Sequence, residues 1–226
     1  ILDNIRKFLR YLLSTNMGEV LTVFLGVVGA GVIGLDSTAG GAVVLPLLAT
    51  QLLWINLVTD SGPALAMGVD PPADDLMDRK PRHVGERVID ARMWASVIQT
   101  GLVIAVLTLL TMDLFLPGGL IEGRDDLVTA RTAGFTVLVF TSLFGCFITR
   151  SDTASAFTHV FDNRWLWGAV TLSALLQVAV VHVGFLNLAF GTVPLAPEQW
   201  LLCVAMASGV LWFSEARKLL GRAWGW

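Results

Sequence analysis

Two groups of polar side chains interrupt long apolar stretches of this sequence. The first group comprises Ser14, Thr15, Asn16 and Glu19. Asn16 and Glu19 are three residues apart, which places them on one face of a helix. A carboxylate inside a membrane-crossing helix costs roughly 2.5–3.5 kcal/mol to insert, so an acid kept there usually marks a path for ions or protons. Glu19 is therefore a candidate for cation binding.

The second group comprises Asn56, Thr59 and Asp60, whose spacings of three and four residues again define one helical face. Gly62 and Pro63 follow shortly afterwards. Proline removes a backbone donor and glycine loosens a helix, so we expect the helix to be partly unwound near this pair. Such a break would free carbonyl oxygens beside Asp60, as in transporters whose discontinuous helices line a cation site.

Together the two groups supply two carboxylates, two amides and hydroxyl groups, with no Cys or His nearby. Oxygen ligands alone suit a hard cation such as Ca²⁺, which takes about 6–8 of them. The alternative is that these side chains only hydrogen-bond between helices and hold them together. That alternative stays open for Asn16 and Thr59 taken singly, whereas the pair of acids favours cation binding.

The composition of the chain is that of a membrane protein. It is 55% hydrophobic and 15% charged, with a mean hydropathy of +0.72, whereas soluble domains have about 25% charged residues. No Asp, Glu, Lys or Arg occurs in 93–112 or 165–195. Uncharged apolar stretches of about 18 residues or more can cross a bilayer, and they do so as helices.

The sequence predicts an all-α, polytopic membrane bundle of six transmembrane helices in a single domain. The expected spans are approximately 8–35, 44–69, 92–116, 127–149, 165–190 and 199–219. Thirteen of the 15 basic residues flank these spans on one side of the predicted bundle. The positive-inside rule then places both termini in the cytoplasm.

The net charge of −3 and the lack of a clustered basic segment argue against a nucleic-acid partner. The predicted partner is the lipid bilayer. Both cysteines, Cys146 and Cys203, lie in apolar spans, and we expect neither a disulfide nor a metal site there.

The longest connection, 70–91, lies on the predicted cytoplasmic side and is rich in proline and in both signs of charge. From composition alone it is a solvated loop. Its notable residues are Asp70, Pro71, Pro72, Asp78, Arg79 and Arg82.

Two segments carry a resemblance to a known family. The run QLLWINLVTDSGPALAMGVDPPADDLMDRKPR (Gln51–Arg82) resembles the sixth transmembrane helix and following loop of P-type cation ATPases of the calcium-pump subgroup. The run NIRKFLRYLLSTNMGEVL (Asn4–Leu21) is similar to their fifth helix. Beyond about the first 90 residues the resemblance is one of hydropathy pattern and span number.

The resemblance implies that the chain provides the last six of ten transmembrane helices of a pump in the plasma membrane. Asn16, Glu19, Asn56, Thr59 and Asp60 then match cation-ligating positions, with Ca²⁺ as the transported ion. The loop that begins at Asp70 would couple the site to a phosphorylated cytoplasmic domain. The implied partners are the first four helices and the cytoplasmic domains, through which ATP and Mg²⁺ would act.

The sequence departs from the family pattern in two ways. Ser142 lies near the position of a glutamate that completes one of two calcium sites in related pumps, and no carboxylate replaces it in that span. Ser142 is therefore a weak site position, and the number of ions stays open. The DKTGT phosphorylation motif is also absent from this sequence, so we expect no ATP hydrolysis by this chain alone.

Three functional hypotheses follow. The first is the membrane part of an ATP-driven pump that exports Ca²⁺. The second is the same kind of pump moving Na⁺, K⁺, Mn²⁺ or H⁺, because carboxylates and amides do not fix the ion. The third is a non-enzymatic six-helix membrane module derived from a pump.

Overall fold

The computed structural model describes residues 2–35, 44–70, 88–150 and 161–223, and these form helices joined by turns and extended connections. The helices are α1 (Leu2–Val28), α2 (Ala49–Trp54), α3 (Ser61–Gly68), α4 (Ala91–Phe115), α5 (Leu127–Ile148), α6 (Arg164–His182), α7 (Gly184–Phe190) and α8 (Pro197–Ala223). A π-helical turn, Ile55–Thr59, lies between α2 and α3. The predicted all-α fold is confirmed.

Five of the described helices, α1, α4, α5, α6 and α8, are long and apolar enough to cross a membrane. The remaining predicted span, 44–69, is an interrupted helix in which α2, the π-helical turn and α3 follow one another. The helical membrane bundle is thus confirmed. The irregularity of the second span lies at Ile55–Thr59, whereas Gly62 and Pro63, where we expected unwinding, lie within α3. The first span is shorter than expected, because α1 ends at Val28 and 29–35 form turns.

The fifth predicted span, 165–190, is divided in the structure. The backbone is extended at Val183, which ends α6 and precedes α7. The carbonyl of Val181 accepts a hydrogen bond from Asn187 Nδ2 at 2.8 Å, and that of Val180 accepts one from Thr192 Oγ1 at 2.7 Å. Polar side chains thus satisfy carbonyls that a continuous helix would have bonded internally. The span expected at 165–190 thus consists of two helices in the structure.

Helix α5 lies at the centre of the bundle, where it contacts α1, α3, α4, α6, α8 and the π-helical turn. Most of its side chains are buried, including those of Phe135, Val137 and Leu138. Its threonines remain compatible with this position because hydroxyls such as those of Thr132 and Thr136 donate to backbone carbonyls four residues earlier. These hydroxyls are therefore satisfied within the protein, which is necessary in lipid because no water is available there.

The connection after α4 is organised by Asp113, which is fully buried. One carboxylate oxygen accepts the N–H of Leu120 at 2.8 Å, and the other accepts the N–H of Ile121 at 3.0 Å. The acid at the end of this span therefore has a structural role, and both of its oxygens are satisfied.

Helices α1 and α4 form the most extensive contact in the bundle, and glycines allow their close approach. A Cβ added at Gly101 would lie 2.7 Å from Met17 Cγ and 3.1 Å from the backbone nitrogen of Gly18. Small residues at such crossings let two backbones come together, which is how membrane helices gain packing energy. The position of α1, which carries Glu19, therefore depends on Gly101.

We predict that Gly101→Ala lowers the free energy of unfolding by about 1–3 kcal/mol, because the added methyl group forces the helices apart. Gly168→Ala is the matched control: Gly168 is also helical, but a Cβ there meets no atom within 4 Å. Alanine should stabilise that position by up to about 1 kcal/mol. Unfolding by denaturant in mixed micelles measures both, and changes of the same sign would contradict the packing argument.

Candidate cation-binding site

The structure brings together polar side chains of α1, α5 and the interrupted helix. Glu19 is buried on α1, and Asp60 is fully buried immediately after the π-helical turn. The two carboxylates are close enough to interact electrostatically. Both side chains point into the bundle and not outward, which is a condition for sharing one ion.

Glu19 is held by the interrupted helix. Its Oε2 accepts a hydrogen bond from Asn56 Nδ2 at 2.5 Å, and the same amide donates to the Leu52 carbonyl at 3.0 Å. Glu19 Oε1 is buried and accepts no hydrogen bond from any described residue. Asn56 and Glu19 thus lie in direct contact, and the second carboxylate oxygen stays outside this bond.

Asp60 is held by α1. The hydroxyl of Tyr11 donates to its Oδ1 at 3.0 Å. Thr15 and Ser142 also face this carboxylate, but the Thr15 hydroxyl donates to the backbone carbonyls of Tyr11 and Leu12. Asp60 Oδ2 is left buried with no hydrogen bond within the described segments. Counting the described residues alone, each acid therefore keeps one oxygen without a donor.

The irregular backbone, the π-helical turn Ile55–Thr59, lies shortly before Gly62 and Pro63. The N–H of Asp60 bonds to the carbonyl of Ile55 at 2.9 Å, five residues back, which is the π-helical pattern. Because Pro63 has no N–H, the carbonyl of Thr59 lacks its helical donor. Ser173 Oγ of α6 donates to that carbonyl instead, at 3.2 Å. The proline thus leaves the Thr59 carbonyl available to Ser173, and this bond joins the irregular segment to α6.

Two predicted ligands donate hydrogen bonds within their own helical segments. Asn16 is exposed, and its amide donates to the Leu12 carbonyl of its own helix at 2.7 Å, so the structure does not bring it to Glu19 and Asp60. Thr59 is buried beside Asp60, but its hydroxyl donates to the Ile55 carbonyl at 2.9 Å.

Sequence reasoning missed Tyr11 and did not select Thr15. Tyr11, Thr15 and Glu19 are spaced by four residues, which puts them on one helical face, and Tyr11 is the chain's single tyrosine. That spacing was a usable signal. The face of α1 that meets Asp60 is defined by these three residues rather than by Asn16.

Comparison with known proteins identifies the family of the chain. Residues 44–220 match the profile of the family described as "Cation transporting ATPase, C-terminus". The chain belongs to this family. A calcium-transporting ATPase of Bacillus subtilis (strain 168) is 37% identical over 98% of the chain. Calcium-transporting ATPase 1 of Yarrowia lipolytica is 33% identical over 96%. The chain spans 23% and 22% of these two relatives.

In this member of the cation-transporting ATPase family, Asp70 contacts three other parts of the bundle. Its carboxylate is 2.7 Å from Lys7 Nζ of α1 and 3.2 Å from Arg150 Nη2, which follows α5. Asn163, the residue before α6, donates to it at 3.0 Å. Asn4 of α1 donates to the Asp70 backbone carbonyl at 2.9 Å.

Asp70 is the first residue of the predicted coupling loop, and it fixes where that loop leaves the bundle. Burial raises the pKa of its carboxyl, but the hydrogen bonds from Lys7 and Asn163 and the charge of Arg150 outweigh burial and hold the pKa below its ordinary value. The other named loop residues, Pro71, Pro72, Asp78, Arg79 and Arg82, lie outside the described residues.

We expect Tyr11→Phe to lower the free energy of unfolding by about 1–2 kcal/mol, because Asp60 then loses its hydroxyl donor in a buried site. Asn16→Ala serves as a comparison, since that exposed amide bonds only within its own helix, and its effect should stay within about 0.5 kcal/mol. Denaturant unfolding in micelles measures both. Equal effects would mean that the Tyr11–Asp60 bond contributes nothing specific.

For Asp70→Asn we predict a loss of about 2–4 kcal/mol in unfolding free energy at neutral pH, because two cations lose a buried counter-charge. Asp90→Asn is the control at the other end of the loop. The side chain of Asp90 is 46% exposed in its pair with Arg6, and such pairs contribute at most about 1 kcal/mol.

The effect of Asp70 should also depend on pH. Because its pKa is lowered in the folded protein, its stabilisation is complete above the ordinary value of 3.8 and is lost as the pH falls through the lower folded value. Wild type and Asp70→Asn should therefore converge in stability only in acid. A difference that vanished already at neutral pH would refute the ion-pair role.

Proposed function

We propose that this chain forms the intramembrane cation-binding site of an ATP-driven pump that exports Ca²⁺. The observation that carries the proposal is the pair Glu19 and Asp60, two buried acids that each keep one oxygen without a donor in the part of the chain that the structure describes. Leaving such oxygens without a partner costs free energy, and a divalent cation between them would satisfy both.

The geometry supports a site that changes on ion binding. Asn56 Nδ2 donates to Glu19 Oε2, so an ion at Glu19 requires this amide to turn and offer its oxygen instead. Asn56 lies in the π-helical turn, where the backbone ladder is already irregular. Tyr11 and Thr15 on α1 and Ser142 on α5 lie beside Asp60. Two acids balance one divalent ion, and Ser142 contributes no third charge.

The choice of Ca²⁺ rests on the chemistry of the ligands and on the names of the relatives. Carboxylate, amide and hydroxyl oxygens suit a hard cation. The similar proteins of Bacillus and Yarrowia bear the name calcium-transporting ATPase. Na⁺, K⁺, Mn²⁺ and H⁺ are the competing ions.

The rest of the pump would supply what this chain lacks. We place the other four transmembrane helices and the cytoplasmic domains, which use ATP and Mg²⁺, in the remaining three quarters of a protein of the relatives' length. Both termini of the chain and the loop that starts at Asp70 would lie in the cytoplasm, and the pump would lie in the plasma membrane. Asp70 would pass movements of the phosphorylated domain to α1, α5 and α6 through its ion pairs.

In the complete protein, Asp60→Asn and Glu19→Gln should each weaken Ca²⁺ binding at least about tenfold, because one of two ligand charges is lost. Equilibrium binding of radioactive Ca²⁺ and Ca²⁺-dependent phosphorylation from ATP measure this. Asp113→Asn is the matched control, a buried acid whose oxygens already bond to Leu120 and Ile121. Its Ca²⁺ affinity should change less than about twofold.

Unchanged Ca²⁺ affinity in the folded Asp60→Asn protein would overturn the proposed site. Repeating the phosphorylation assay with Na⁺, K⁺, Mn²⁺ and H⁺ decides the ion: we expect Ca²⁺ to activate at the lowest concentration. Ca²⁺ binding without any phosphorylation from ATP would favour the non-enzymatic membrane module.

A further inference from the structure

The short helix α2 is attached to α7 through a buried polar side chain. Among the six residues of α2, only Gln51 is buried, and its side chain is fully enclosed. Outside its own span, α2 contacts α7 more than any other described helix. A glutamine buried inside a membrane bundle costs free energy unless its amide is hydrogen-bonded. The partners of Gln51 therefore explain why a polar side chain stands at this position.

Gln51 bonds to the backbone at two helix ends. Its Oε1 accepts the N–H of Leu48 at 3.0 Å, at the start of α2. Its Nε2 donates to the carbonyl of Phe190 at 3.1 Å, at the end of α7. Helix ends leave such backbone groups without an internal partner. A leucine at position 51 would fill a similar space but would deprive both groups of this bond.

An aromatic contact adds to the same attachment. The rings of Trp54 and Phe190 meet edge to face, with their centroids 4.9 Å apart. Trp54 follows Gln51 by three residues, so the two side chains share one face of α2, and both reach Phe190. The position of α2 is therefore set from α7, which follows the extended residue Val183.

Another face of α2 leads to the proposed cation site. Asn56 follows Leu52 by four residues, and its Nδ2 donates both to the Leu52 carbonyl and to Glu19 Oε2. A shift of α2 therefore moves the Leu52 carbonyl and the backbone that carries Asn56. Removing a group that orients a metal's ligands typically lowers metal affinity roughly 10–100-fold.

We propose that Gln51 is a positioning residue for the cation site: through Phe190 it holds α2 against α7 and so fixes where Asn56 meets Glu19. This inference rests on the proposed function, because it concerns the ion that Glu19 and Asp60 would bind. Gln51 itself touches no ion. Its effect on Ca²⁺ passes through Asn56, so that a contact outside the site takes part in setting the affinity.

The test is a double-mutant cycle on Ca²⁺ affinity in the complete protein. Gln51→Leu should weaken equilibrium Ca²⁺ binding about fivefold, less than the loss of a group that bonds a ligand directly. In the Asn56→Ala background the same substitution should change the affinity less than about twofold, because the residue through which it acts is gone. Equal weakening in both backgrounds would show a general loss of structure and overturn the positioning role.

Gln177→Leu is the matched control. Gln177 is also a fully buried glutamine, but it lies on α6, and its Nε2 donates to Thr136 Oγ1 of α5 at 3.3 Å. Both leucine variants should lower the midpoint of denaturant unfolding by similar amounts, since each removes a buried amide. Only Gln51→Leu should weaken Ca²⁺ binding, and an equal loss of affinity in the two variants would refute the proposal.

Phe190→Leu tests the same attachment from α7 and does not depend on the folding of Gln51→Leu. It removes the ring that Trp54 contacts and keeps the backbone carbonyl that Gln51 bonds. It should weaken Ca²⁺ binding about threefold, and only while Asn56 is present. Phe185→Leu is its control, because Phe185 lies on the same helix but is 78% exposed. Equal effects of the two phenylalanine substitutions would contradict the role of this contact.

The measurements separate this inference from the proposed function. If Asp60→Asn weakens Ca²⁺ binding and Gln51→Leu does not, the cation site stands and the positioning role of Gln51 is refuted. If Asp60→Asn leaves the affinity unchanged, the proposed site is refuted, and the role of Gln51 is refuted with it.

Discussion

A buried polar group in a membrane protein must find its partner within the protein, and this constraint separates the acids of the bundle into two kinds. Asp70 and Asp113 have both carboxylate oxygens bonded. Glu19 and Asp60 each keep one buried oxygen without a donor among the described residues. An acid that serves only the fold gains from being fully satisfied. These two exceptions are the observation on which the proposed cation site rests.

The remainder of the fold keeps these two acids together. Close packing of α1 on α4 sets the position of Glu19, and Gly101 permits that packing. Pro63 removes a helical donor just after Asp60, and Ser173 replaces it from α6. The resulting irregular turn lets Asp60 and Asn56 face α1 from a span that is otherwise helical. The irregular backbone hydrogen bonding of this segment is thus part of the folded structure, because Ser173 of α6 bonds to it.

Asp70 connects three parts of the bundle at one end. Lys7 of α1 and Arg150, which follows α5, form ion pairs with its carboxylate. Asn163, the residue before α6, donates a hydrogen bond to it. The helix that carries Glu19 is therefore joined at this end to the ends of two other helices by polar contacts outside the apolar core.

The sequence by itself determined the class of fold, the approximate places of the apolar helices, the two acids within them and an irregularity in the span that carries Asp60. It could do so because hydropathy, charge and proline chemistry act locally along the chain. Only the tertiary structure decided that Tyr11 bonds to Asp60 while Asn16 stays exposed, and that α6 ends at Val183. Helical spacing tells which residues share a face, but which face meets a neighbour depends on how glycines and side chains from distant segments pack. The side chains that surround the two acids are a result of that packing, and so the sequence supplied the acids but not all of their neighbours.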